Sequence, residues 1–173
     1  MSDSTTALAG FEDSRRQFVR AIEGVPAEAL AYLAPGDDYS LGGLITHTNA
    51  VLRRYGRVLD AIVAAPDRVF DAAEIETDMA RDNARSTEGL DAAGRDAGLA
   101  ELASLHDHVV ATLRTVGDEG WARKTPVLYG GATEPYPTGA ADIVGWLSGH
   151  YVEHVPHVAE LLAAWRAATP ATQ

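Results

Sequence analysis

Three observations predict an all-α fold, a four-helix bundle. Alanine and leucine dominate an apolar fraction of 46%, and runs of β-branched residues are few, a composition that favours helices over strands. Four segments place apolar residues at spacings of three and four, the repeat of one helix face. Between them lie stretches rich in Pro, Gly and acidic residues, which punctuate helices. A chain of 173 residues suits one domain with a real core, spanning 1–173.

The first helix is expected from about Ser4 to Glu23, with Leu8, Phe11, Phe18 and Ile22 on one stripe. Arg15 interrupts that stripe, and its long stem suits a snorkelling side chain or a structural ion pair. Pro26, Pro35 and Gly36 end the pattern, after which Asp38, Tyr39 and Ser40 offer a cap for a second helix running to about Val63. Leu41, Leu44, Thr48, Val51, Tyr55, Val58 and Ile62 form its buried stripe, widened by Ile45, Leu52 and Leu59. His47 lies at the edge of that stripe. From Pro66 to about Arg95 the sequence turns polar and acidic. That is long for a structureless loop, so a short extra helix is expected over about Ala72 to Arg85.

The third long helix, about Asp96 to Val116, reads as a heptad of Leu99, Leu102, His106, Val109, Leu113 and Val116, which turns His106 inward. Between Gly117 and Thr138, the run Pro126 to Tyr129 and the Gly130–Gly131 pair predict a loop or a small hairpin before the last helix. The last helix runs from about Ala140 to Ala168. Its apolar stripe of Ile143, Leu147, Leu161 and Trp165 continues through His150, His154 and His157, and Pro156 is expected to kink it. Trp146 and Tyr151 read as packing residues. No repeat and no low-complexity tract appear apart from the Ala/Thr/Pro tail.

A net charge of −11 argues against nucleic acid, whose phosphates demand clustered Lys and Arg. No apolar leader follows Met1 and no run reaches membrane-spanning length, so the expectation is a cytoplasmic protein with no membrane partner. Absence of cysteine excludes disulfides, thiolate metal sites and a cysteine nucleophile, leaving nitrogen and oxygen donors for any metal.

His150 and His154, four apart on a helix, leave the same face one turn apart and can reach one metal ion. The face they share is the one that Ile143, Leu147, Leu161 and Trp165 mark as buried. Buried imidazoles need partners, and two accounts supply them: hydrogen bonds within the core, or a metal with a further ligand from another helix. For that ligand, His47 is the isolated histidine best placed on a core edge. His157, one short turn beyond His154, competes for the role, and inward-facing His106 is a further candidate as ligand, outer-shell group or satisfied core residue. Glu153, flanking the pair, is a candidate to orient a ligand or act as a base.

The segments Leu44-Ile-Thr-His47 and Gly149-His-Tyr-Val-Glu-His154 resemble the DinB-like superfamily of metal-binding four-helix bundles. The similarity in architecture spans nearly the whole chain. It implies a metal on one histidine of the second helix and an H-x-x-x-H pair of the last: His47, His150 and His154. It further implies a divalent ion, nickel or zinc above others, and a low-molecular-weight thiol as cofactor.

An open tri-histidine site can activate a thiol or water for nucleophilic transfer or hydrolysis of a small-molecule substrate, and that is the leading expectation. A metal-independent binding or resistance protein is a second, since relatives with that role share the His-Tyr-x-Glu-His look. A non-catalytic interaction module, dimerising through an exposed helix face, is a third.

Overall fold

Six helices, three short strands and one 3-10 turn make up residues 3–169, those described by the computed structural model. The helices are α1 (Asp3–Glu23), α2 (Gly43–Ala64), α3 (Ala73–Asn83), α4 (Ala92–Thr115), α5 (Asp118–Ala122) and α6 (Ala140–Ala168). From residue 170 the Ala/Thr/Pro tail lies outside the described residues. The four long helices α1, α2, α4 and α6 form the bundle, with α1 packed chiefly on α6, α2 on α4, and α2 and α6 meeting along a further seam. Among the described residues no helix is long and apolar enough to cross a membrane.

The apolar stripes read from the sequence are the core. Phe11, Phe18 and Ile22 of α1, Leu44, Leu52, Val58 and Leu59 of α2, Leu102, Val109 and Leu113 of α4, and Ile143, Leu147 and Leu161 of α6 are all buried. Arg15 makes the structural ion pair expected of it, 3.6 Å from Glu12.

Two boundaries differ from expectation. Helix α2 begins at Gly43, three residues beyond Ser40, although Ser40 still caps it by accepting a hydrogen bond from the Gly43 N–H at 2.8 Å. The chain between α3 and α4 passes so close that a Cβ on Gly43 would lie 1.5 Å from the Ser86 carbonyl oxygen, a contact only glycine permits. Helix α4 begins at Ala92, earlier than Asp96, because the Asp91 carboxylate accepts from the Gly94 N–H at 2.7 Å.

The expected hairpin forms: β2 (Thr125–Leu128) and β3 (Tyr136–Thr138) pair antiparallel, with Val127 opposite Tyr136. Gly131 takes the left-handed conformation in the turn, φ 79°. A two-residue strand β1 (Phe70–Asp71) adds to β2 in parallel. Helix α6 continues through Pro156 as one element. Pro156 denies the Val152 carbonyl its usual donor, and Val152 lies on the solvent face.

Candidate metal centre

Helices α2 and α6 run antiparallel, so His47 in the first turn of α2 faces His150 and His154 in the middle of α6, while Tyr55 faces Trp146. The three imidazoles offer nitrogens that all lie within 4.8 Å of one another. His47 and His154 are buried and His150 is partly exposed. The Nε2 atoms of His150 and His154 are buried without a hydrogen-bond partner. A buried polar atom left unpaired is costly, and two such atoms beside a third imidazole suit ligation of a cation.

Outer partners bear on which nitrogen His47 and His154 keep free. The Asn83 side-chain oxygen, 2.5 Å from His47 Nδ1, can only accept, so Nδ1 carries the proton and Nε2 the lone pair. Ser86 Oγ also donates to that oxygen, at 3.3 Å. For His154 the partner is His157, whose Nδ1 lies 3.4 Å from His154 Nδ1 and whose Nε2 donates to Asp37 at 3.0 Å. A His157 ring carrying its one proton on Nε2 accepts at Nδ1. His154 therefore donates from Nδ1 and keeps Nε2 for a ligand. Partial burial pushes the Asp37 carboxyl up, but hydrogen bonds from His157 and the Tyr39 N–H outweigh it and hold it below the ordinary value.

Burial also makes the three rings neutral at physiological pH, the form in which imidazole binds metal. It lowers His47 against the opposing pull of its hydrogen bond to Asn83. Burial and then the neighbouring rings press His150 down to about 3, and burial, His47 and His157 bring His154 to about 4.

The structure thus brings His47, His150 and His154 together. His157 adjoins His154 but stands outside the convergent set, occupied by Asp37. His106 lies elsewhere, fully buried in the core. Its ring stacks on Phe11 at 4.0 Å, its Nδ1 is 3.3 Å from the Tyr151 hydroxyl, and Glu12 approaches its Nε2 at 3.3 Å, off the hydrogen-bond direction. It is a core residue, not a ligand. Glu153 is exposed on the wall of a cleft of about 510 Å³ that opens onto the three imidazoles; the rings' own partners are Asn83 and His157. Tyr151 packs between Phe11 and Phe18, and Trp146 within a cluster of Tyr55, Tyr129 and Tyr136.

Sequence reasoning missed Asp37, Tyr39 and Asn83. Asp37 and Tyr39 sit in a segment legible only as a helix cap, and Asn83 ends a helix marked by polarity alone. The hydrogen bonds of Asn83 and Asp37 to the histidines join residues 36 and 120 positions apart, which no local spacing encodes.

An all-α bundle with three neutral, convergent histidines between its second long helix and its last defines a class of candidate metal-binding proteins. The chain belongs to the DinB superfamily, whose family model matches residues 10–158. Neither the curated proteins nor the solved structures give a significant match.

Proposed function

We propose that His47, His150 and His154 hold one divalent ion, nickel or zinc, and that the site activates a thiol or water for nucleophilic transfer to, or hydrolysis of, a small electrophile. One observation carries the reading: neutral imidazoles from two helices converge with unpartnered buried nitrogens on an open cleft. Three protein ligands, rather than four, suit a site that does chemistry. When bound, the ion supplies Lewis acidity, lowering the pKa of an adjacent thiol or water and polarising an electrophile. The chain's contribution is orientation: Asn83 fixes His47, and the Asp37–His157 pair fixes His154. Tyr39, whose ring centroid is 4.5 Å from that of His47, walls off one side from water.

Elemental analysis of protein purified without an affinity tag tests the reading. The expected result is close to one equivalent of nickel or zinc per chain, with thermal stability rising when metal is restored to stripped protein. At a hundredfold excess over the dissociation constant the gain is about 2.7 kcal/mol. Protein free of metal, with stability unmoved by nickel or zinc, would overturn the assignment and favour a metal-independent binder.

A further inference from the structure

The cleft beside the three histidines is one-sided in charge. Glu153 and Glu160 are the charged acidic side chains lining it, and it has no lining lysine or arginine. Both glutamates are exposed on α6. At 100° per residue, His150, Glu153, His154, His157 and Glu160 fall within an arc of about 120° on that helix. Glu153 stands level with His154, and Glu160 lies about 9 Å further along the axis. Tyr39 forms the opposite wall, its ring centroid 5.8 Å from that of His154. The charge on Asp37 is engaged by His157 at 3.0 Å.

We propose that this outer part of the cleft is an ammonium subsite. It takes a small ligand whose reactive end meets the imidazoles and whose other end carries a protonated amine, held between the Tyr39 ring and the Glu153 carboxylate, with Glu160 serving longer ligands. An aromatic face beside a carboxylate is the pairing that recognises such a cation. An anionic outer end meets the two glutamates with no lining lysine or arginine among the described residues, while the ion's own charge attracts the thiolate end of any thiol ligand alike. The proposal rests on the reading above, in which the histidines hold an ion and accept a thiol. The buried, unpartnered His154 Nε2 belongs to a residue lining the same cleft and marks it as a place where a ligand binds.

Three thiols of matched size and different charge provide the test: cysteamine, mercaptoethanol and mercaptopropionate, titrated calorimetrically into the zinc-loaded full chain. Cysteamine is expected to bind tightest and mercaptopropionate weakest. Thiol acidity alone pushes in the same direction, so the decisive readout is the ratio of their affinities in Glu153→Gln, where intrinsic acidity cancels. That ratio is expected to shrink about three- to tenfold, as for a partly screened charge several ångströms away. Mercaptoethanol affinity and zinc content should hold. In the unaltered protein the ratio should also fall as salt rises from about 0.01 M to about 0.5 M. A ratio that neither the substitution nor salt moves overturns the ammonium subsite and leaves the thiol reading standing. No binding by any of the three to protein carrying one zinc overturns the thiol reading, and the subsite with it.

Discussion

His106 and the trio of His47, His150 and His154 are the same kind of side chain under similar burial, yet they reach different ends. Burial lowers His106 to about 4, as it lowers His154 to about 4 and His150 to about 3. All are neutral at physiological pH, so protonation does not separate them. Surroundings do. The His106 ring is closed in by Phe11, Tyr151 and Glu12 from α1 and α6, with no lining role in the cleft. The other rings lie at the α2–α6 seam with nitrogens within 4.8 Å of one another, and His47 and His154 are each anchored from outside at Nδ1. A depressed pKa therefore marks burial, and convergence of free nitrogens marks a candidate site.

The largest expected effect tests that distinction directly. His150→Ala or His154→Ala should reduce metal affinity by more than the roughly 100-fold that losing an outer-shell partner causes, measured by competition with a chelating dye. His106→Ala should leave metal content untouched. Stoichiometric metal in either α6 variant, or its loss in the His106 variant, would break the contrast between the two regions.

Stability should reverse the ranking. Removing the stacked, fully buried His106 ring leaves a cavity and is expected to cost about 3 kcal/mol, read from urea unfolding. Its titration adds a pH signature. The folded-state value of about 4 lies below the ordinary 6.5, so between these values the unfolded chain holds the extra proton. Stability is then full above pH 6.5 and falls as pH drops toward 4, at up to about 1.4 kcal/mol per pH unit for this group. His106→Phe, compared in the same metal state, should flatten the slope; an unchanged slope would show that His106 does not titrate this way.

The long helices and the pairing of His150 with His154 were legible because each rests on local periodicity, and the hairpin because the Gly130–Gly131 pair announces a turn. What was hidden is either short or distant. β1 has two residues and α5 has five, too few to show a period. The close passage of the Ser86 carbonyl beside Gly43, at the start of α2, joins residues more than forty apart in sequence. The rivalry between His154 and His157 turned on direction past a proline, and only Asp37, delivered by the α1–α2 connection, resolves it. The convergence itself was accessible through the second helix and the last, because side chains on long helices inherit a predictable face. The outer partners come from connecting segments and a helix end, which do not.

The smallest of the expected effects concerns those outer partners. His157 and Asp37 resemble a second pair, exposed His108 and Asp60, whose atoms lie 2.8 Å apart on α4 and α2. The pairs share their chemistry and differ in what lies behind the histidine: His154 behind one, Thr112 of the same surface network beside the other. Asp37→Ala should therefore weaken metal binding about tenfold, toward the low end for outer-shell partners, because His157 loses the acceptor that holds its proton on Nε2. Asn83→Ala should do the same through His47. Asp37→Asn keeps an acceptor oxygen and should lose less, while Asp60→Ala should change metal affinity by less than about twofold. Nitrogen NMR of the imidazoles supplies a readout independent of affinity: His157 should carry its proton on Nε2 in the unaltered protein and lose that preference in Asp37→Ala. Equal metal affinity in all four variants would mean that the ligand rings are held by packing alone.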